Sequence, residues 1–147
     1  MKRYENKITV VVGAAHGIGF SMVERLVEEG AAVAALALEP EIMIEKFSKY
    51  GEKVYPVFCD VSNKQLVEEA ISKVLEKFGR IDVAFSNAGI IGRKSLLDTT
   101  EEEWKKVIDV NLNGTFYVNQ AVLRSMVERK IKGAVVNTSS IAAYTVS

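Results

Sequence analysis

The sequence predicts the α/β class: one doubly wound parallel sheet of about five strands with helices on both faces. Three observations carry this. Short apolar or β-branched runs of strand length recur along the chain. Between them, apolar residues return at helical spacing with charged residues on the other side. The breaks fall mostly on glycine or proline. Strands that alternate with helices imply βαβ units, and those close into parallel sheets through right-handed crossovers.

Ile8-Thr9-Val10-Val11-Val12 is a β-branched run that stops at Gly13, the pattern of a buried strand. From Gly17 the period changes: Phe20, Met22, Val23, Leu26 and Val27 form an apolar face, and Glu24, Arg25, Glu28 and Glu29 are expected on the wet side. Gly30 ends this helix. Residues 31–38 read as a second strand, and Pro40 opens a helix that should run to about Tyr50 and Gly51. Residues 53–59 supply a third strand. Val67, Ala70, Ile71, Val74 and Phe78 mark the next helix, closed near Gly79, and residues 81–85 a fourth strand. Residues 101–129 read as one long helix with Trp104, Ile108, Val118, Val122 and Met126 on one side, capped by Thr99 or Thr100. Residues 133–138 form the fifth strand, centred on Ala134-Val135-Val136.

Composition narrows the function classes. The chain has 147 residues, 48% hydrophobic and 26% charged, which suits a single soluble domain with a real core. Nineteen basic and nineteen acidic side chains cancel, without the basic excess of a protein that works on nucleic acid or anionic lipid. One cysteine, Cys59, and one histidine, His16, argue against a disulfide scaffold and a metal centre, so no metal is expected. Cys59 reads as a small buried hydrophobe. The polar start and the interrupted apolar run after it look like neither a secretory signal nor a membrane span, so a cytoplasmic protein is expected.

The first strand-to-helix turn carries the most chemistry: Gly13-Ala14-Ala15-His16-Gly17-Ile18-Gly19. Glycines there permit backbone conformations that a Cβ forbids, and let the backbone approach a pyrophosphate seated on the helix N-terminus. A tight turn that binds nothing is the plain alternative. Asp60-Val61 follows the third strand, Ser86-Asn87-Ala88-Gly89 the fourth, Val110-Asn111-Leu112-Asn113-Gly114 lies in the long helix, and Val136-Asn137-Thr138-Ser139-Ser140 ends the fifth strand. Read alone, Asp60 could cap the helix beginning near Ser62, Asn87-Ala88-Gly89 could be only a turn, and Ser139 and Ser140 could merely end a strand. Asn111 falls on the apolar stripe three residues after Ile108, where a polar side chain must find partners.

In order and interval these motifs resemble the short-chain dehydrogenase/reductase family, with Val12 where the family's first motif has threonine and Ser86 where its Asn-Asn-Ala-Gly motif has asparagine. The resemblance implies a Rossmann-like, NAD(P)-binding domain over residues 1–147 that is incomplete relative to the family. It implies cofactor contacts at Gly13, Ala15, His16, Gly17, Ile18, Gly19, Leu38, Asp60, Val61, Asn87, Ala88 and Gly89, with Asp60-Val61 beside the adenine. It assigns catalytic roles to Asn111 and Ser140, the serine steadying the substrate carbonyl oxygen. The implied reaction is hydride transfer between the nicotinamide and a small carbonyl or alcohol substrate. Ile91, Gly92 and Arg93 border the expected pocket.

Cofactor choice is read at the end of the second strand, where an acid favours NAD and an arginine nearby favours NADP. Ala37 and Leu38 occupy those positions here, and Glu39 comes two places late. Ala37 and His16 point to NADP, Glu39 to NAD, so NAD or NADP is expected. In the family the serine is followed about a dozen residues on by Tyr-x-x-x-Lys. Tyr144 lies only four residues after Ser140 and reads as a loop residue, and the sequence ends at Ser147. The resemblance therefore implies a chain truncated after the fifth strand, inactive alone, with an exposed sheet edge and a homo-oligomer contact through the long helix around Trp104. A naturally short, non-catalytic nucleotide- or partner-binding relative is the alternative. A different Rossmann-like protein, such as a methyltransferase, fits the asparagine motifs poorly.

Overall fold

The computed structural model describes residues 2–144; Met1 and residues 145–147, where the expected domain ends, lie outside the described residues. Five strands, β1 (Ile8–Val12), β2 (Ala32–Ala37), β3 (Val54–Phe58), β4 (Val83–Ser86) and β5 (Ala134–Asn137), form one sheet in the order β3-β2-β1-β4-β5. Every pairing is parallel. The helices are α1 (Gly17–Glu28), α2 (Pro40–Phe47), α3 (Lys64–Phe78), α4 (Glu101–Ile108) and α5 (Gly114–Glu128).

The central strands β1 and β2 are apolar because they are covered on both faces, and alternate residues feed two cores. Val10, Val12, Ala34 and Leu36 pack with α3 and α5 through Val67, Ile71, Val74, Val118, Val122 and Met126. Val11, Val33, Ala35 and Ala37 pack with α1 and α2 through Val23, Leu26, Val27, Met43 and Phe47. Pro56 cannot donate a ladder bond, and it lies in β3, an edge strand where that loss is tolerated.

The element ends have local causes. Pro40 opens α2 at its first turn, and Gly79 closes α3 at φ +77°. Asn63 caps α3 by accepting from the Gln65 and Leu66 N–H groups. Thr100, not Thr99, caps α4, in a reciprocal capping box with Glu103.

Three expectations need correction. The helix of residues 101–129 is interrupted by a π-helical turn, Asp109–Asn113, between α4 and α5. Trp104, on α4, is 57% exposed, while Val118, Val122 and Met126, on α5, are buried. The helix from Pro40 stops at Phe47 and continues as a 3-10 segment, Ser48–Lys53, broken at Gly51 (φ +54°). Glu29, expected on the wet side, is 3% exposed. Its carboxylate accepts 2.5 Å hydrogen bonds from Arg3 Nε and Nη2 and a 2.6 Å bond from Arg25 Nε. Those two arginines hold the Glu29 carboxyl well down, at about 2.

At the amino end of the sheet, buried Asp82 accepts from the Ile8 N–H at 2.9 Å and pairs with Arg80. This pins the starts of β1 and β4 together. At the carboxyl end, the register aligns Val12 with Leu36 and Ser86, and Ser86 with Asn137. The turns after β1, β4 and β5 therefore leave the sheet side by side.

Candidate functional site

Strand order reverses between β1 and β4: β1 is followed by β2 on one side, while β4 lies on the other. In open α/β sheets, the crevice outside the carboxyl ends at such a switch is where ligands sit. Here it is built from the glycine turn, the Asn87-Ala88-Gly89 turn and the segment after β5.

The glycine turn is fixed from below and open above. Gly13 and Ala14 donate their N–H groups to the Leu36 carbonyl at 2.8 and 3.1 Å, fusing the turn to the end of β2. Gly13 has φ +79°, and a Cβ on it would lie 2.9 Å from Ala88 Cα and N, so this glycine lets the turn after β4 close on the turn after β1. Gly19, in the first turn of α1, packs so tightly under the glycine turn that a Cβ would land on the Gly13 carbonyl oxygen. Gly17, at φ +53°, faces open space with nothing within 4 Å of the position of a Cβ. His16 precedes α1; among the described residues no side chain at His16 caps the first-turn N–H groups, and no acid in the first turn offsets the positive helix end. Ala15 is buried, whereas Ile18 is 63% exposed beside the turn.

The polar side chains around this opening form two hydrogen-bonded sets. Asn87 donates its backbone N–H to the Val12 carbonyl at 3.2 Å, and its Oδ1 accepts from Thr138 Oγ1 at 3.0 Å. Ser86 Oγ donates to Asn119 Oδ1 at 3.1 Å, and Asn119 Nδ2 donates to Asn137 Oδ1 at 3.0 Å. Strands β4 and β5 are thereby tied to α5 just beneath the crevice. Asn119 lies in none of the sequence motifs, and Thr138 carries no assigned role within its own. The signal available was an asparagine adjoining Val118 on a helix whose neighbours are apolar.

Asn111 does find partners, but at the surface and not within the apolar stripe. It sits in the π turn, and its side chain clamps one residue: Oδ1 accepts from Ile90 N and Nδ2 donates to Ile90 O, both at 2.8 Å. Thr115 Oγ1 donates to the Asn111 carbonyl at 2.8 Å. The π turn, a feature that recurs at functional sites, thus joins the helix to the chain leaving Gly89.

Asp60 does not cap α3. Its Oδ1 accepts from Ser62 N at 2.9 Å and Ser62 Oγ at 2.6 Å, a local turn that leaves Asn63 to cap the helix. Val61 is held by α5, which approaches so closely that a Cβ on Gly114 would lie 2.8 Å from Val61 Cγ2. Cys59 is buried, and burial with the Asp60 charge pushes its thiol up to about 12. Leu38 is 56% exposed past the end of β2, and Glu39 precedes α2 without forming a cap. Ser140 starts a short 3-10 segment, Ile141–Ala143, and its Oγ accepts from Ala142 N at 3.2 Å. Tyr144 is 90% exposed. Lys46, unremarked in the sequence, reaches from α2 to the glycine turn.

A family model described as short chain dehydrogenase matches residues 7–146. A protein of Arabidopsis thaliana named short-chain dehydrogenase reductase 3b is 39% identical over 97% of this chain and 56% of its own length. A 3-oxoacyl-acyl-carrier-protein reductase of Thermotoga maritima is 37% identical over 95% of this chain and 57% of its own. The crystal structure of gox2181 superposes with a TM-score of 0.92 at 36% identity, covering 99% of this chain and 58% of that one. The chain thus spans about half the length of the curated relatives it matches.

Proposed function

The chain belongs to the short-chain dehydrogenase family, and from that premise we propose that its crevice holds NAD(P) in an oxidoreductase that moves hydride between the nicotinamide and a small carbonyl or alcohol. The observation that carries this reading is the glycine turn at the switch point. Its base is packed shut at Gly13 and Gly19, while Gly17 and the uncapped start of α1 face open space. A pyrophosphate there would meet fixed N–H donors and a helix dipole without needing a cationic surface, in keeping with a chain of net charge zero.

The remaining assignments follow the order of the turns. Gly13, Ala15, His16, Gly17, Ile18 and Gly19 line the pyrophosphate and its ribose. Leu38, Asp60 and Val61 lie toward the adenine, and Asn87, Ala88 and Gly89 pass along the cofactor. When bound, the nicotinamide supplies or accepts the hydride. Ser140 Oγ, the hydroxyl that opens the 3-10 segment after β5, donates to the substrate oxygen as charge develops on it. Asn111 positions the chain after Gly89 by gripping Ile90 through both its amide atoms. Exposed Trp104, Leu112, Phe116 and Leu123 along α4 to α5 support a homo-oligomer contact. No helix among the described residues is long and apolar enough to cross a membrane, and we place the protein in the cytoplasm.

The test is a titration of the 147-residue chain with NADH and NADPH, read by nicotinamide fluorescence. We expect saturable enhancement with at least one of them and no consumption of either in the presence of carbonyl substrates, because no Tyr-x-x-x-Lys pair follows Ser140 within these residues. Absence of a saturable signal with both nucleotides would overturn the assignment of the turn.

A further inference from the structure

We propose that Lys46 reads the 2′ position of the adenosine ribose and makes this site selective for the 2′-phosphorylated dinucleotide. The inference rests on the dinucleotide reading above and adds the residue that chooses between the two forms.

Lys46 lies in the last turn of α2, 31 residues along the chain from Ala15. Its Nζ donates to the Ala15 carbonyl at 3.1 Å and lies 3.3 Å from His16 Nδ1. The same ammonium stands 5.3 Å from the centroid of the Phe20 ring, and Phe20 stacks on Phe47 with ring centroids 4.9 Å apart. The stem and the charge are therefore both seated, which lowers the entropic cost of holding a long cation in one place. Among the described residues none of these contacts is a carboxylate. An ammonium has three N–H donors, and the one backbone carbonyl uses one of them.

The position fits the 2′ substituent and not the pyrophosphate. The pyrophosphate belongs at the start of α1. Lys46 comes to the turn from the β2–α2 side, where Gly13 and Ala14 bond the Leu36 carbonyl and β2 ends. That is the side on which ribose hydroxyls are read in such sheets. The two positions at the strand end carry no acid: Ala37 is 7% exposed and Leu38 is apolar, and the first acid, Glu39, comes only at the start of α2, where it forms no cap. A carboxylate at the strand end would accept from two ribose hydroxyls and repel a phosphate. The charge held against the glycine turn is the Lys46 ammonium, beside the His16 imidazole, so a phosphate dianion gains an interaction that a hydroxyl does not.

The test compares NADPH with NADH, and 2′,5′-ADP with 5′-AMP, on the full chain and two variants. The wild type should bind each 2′-phosphorylated ligand about tenfold or more tightly than its partner. Lys46→Met keeps an unbranched stem against Phe20 and should lose most of that ratio while leaving NADH within about twofold; Lys46→Arg should keep it. Equal losses for both members of each pair would make Lys46 a prop for the turn and overturn the proposal. A wild type with no preference, or a ratio unmoved in Lys46→Met, would do so too. If neither nucleotide binds the wild type, the reading of the glycine turn fails first. If both bind and only the ratio fails, the fault lies with Lys46 alone.

Discussion

The three glycines of the first turn should respond differently to the same substitution, because each is glycine for a different reason. Alanine at Gly17 meets no neighbour within 4 Å and pays only for φ +53°, about 1–2 kcal/mol. Alanine at Gly13 pays that backbone cost and also drives a Cβ to 2.9 Å from Ala88 Cα and N. The added overpacking of about 1–3 kcal/mol brings the total to about 2–5 kcal/mol. Alanine at Gly19 has no backbone strain, but it collides with the Gly13 carbonyl and belongs at or beyond the upper end of the overpacking range, about 3 kcal/mol or more. For a chain of this size each kcal/mol lowers Tm by about 2–4 °C. Thermal unfolding should thus show Gly17→Ala only a few degrees below wild type, with Gly13→Ala falling by about 4–20 °C and Gly19→Ala by about 6 °C or more. Nucleotide titration should give a different order. Gly17→Ala fills the space through which the pyrophosphate approaches, so a well-folded variant should lose affinity by about tenfold or more. Equal destabilisation at all three positions, or a Gly17→Ala protein that binds as wild type does, would refute the division of roles.

Two further outcomes follow from titrating groups outside the crevice. The Glu29 carboxyl is lowered to about 2, first by its hydrogen bonds from Arg3 and then from Arg25, against an ordinary 4.5. Its contribution is therefore complete above pH 4.5 and disappears as the pH falls toward 2. Glu29→Gln should melt below wild type at neutral pH and converge on it across that acid window; a gap that ignores pH would contradict the ion-pair account. The Cys59 thiol, pushed up to about 12, is almost wholly protonated at pH 8, with a thiolate fraction of about one in ten thousand. Native protein should resist a thiol-reactive dye and label fully only in denaturant. Rapid labelling in the folded state would show that the β3 end is more open than described.

Much of the architecture was legible because local chemistry marks it. The β-branched run to Val12, Pro40 at a helix start and Gly79 past a helix end each carry a mechanism that acts within a few residues. The glycine turn was legible for the same reason. The residues that were misread or missed depend on distant partners. Glu29 looks like a surface acid until Arg3 is brought to it from 26 positions away. Asn119 looks like an isolated polar residue until Ser86 and Asn137 arrive on β4 and β5. The π turn at Asp109–Asn113 is invisible to apolar periodicity because both flanking helices are amphipathic. Its one local hint is the polar interruption Asn111-Leu112-Asn113, and the partner of Asn111 there, Ile90, lies 21 residues earlier. Lys46 belongs with these: nothing beside it in sequence says that it ends on the glycine turn.

The central claim is that the crevice between β1 and β4 is a dinucleotide seat. It is tested most directly by mapping backbone amide shifts in a nitrogen-15-labelled chain as NADPH or NADH is added. Saturable changes should concentrate at residues 13–19, with smaller ones at residues 37–39, 60–61 and 87–89, and none at the amino end of the sheet around Asp82. Changes centred elsewhere, or a spectrum that neither nucleotide alters, would contradict it.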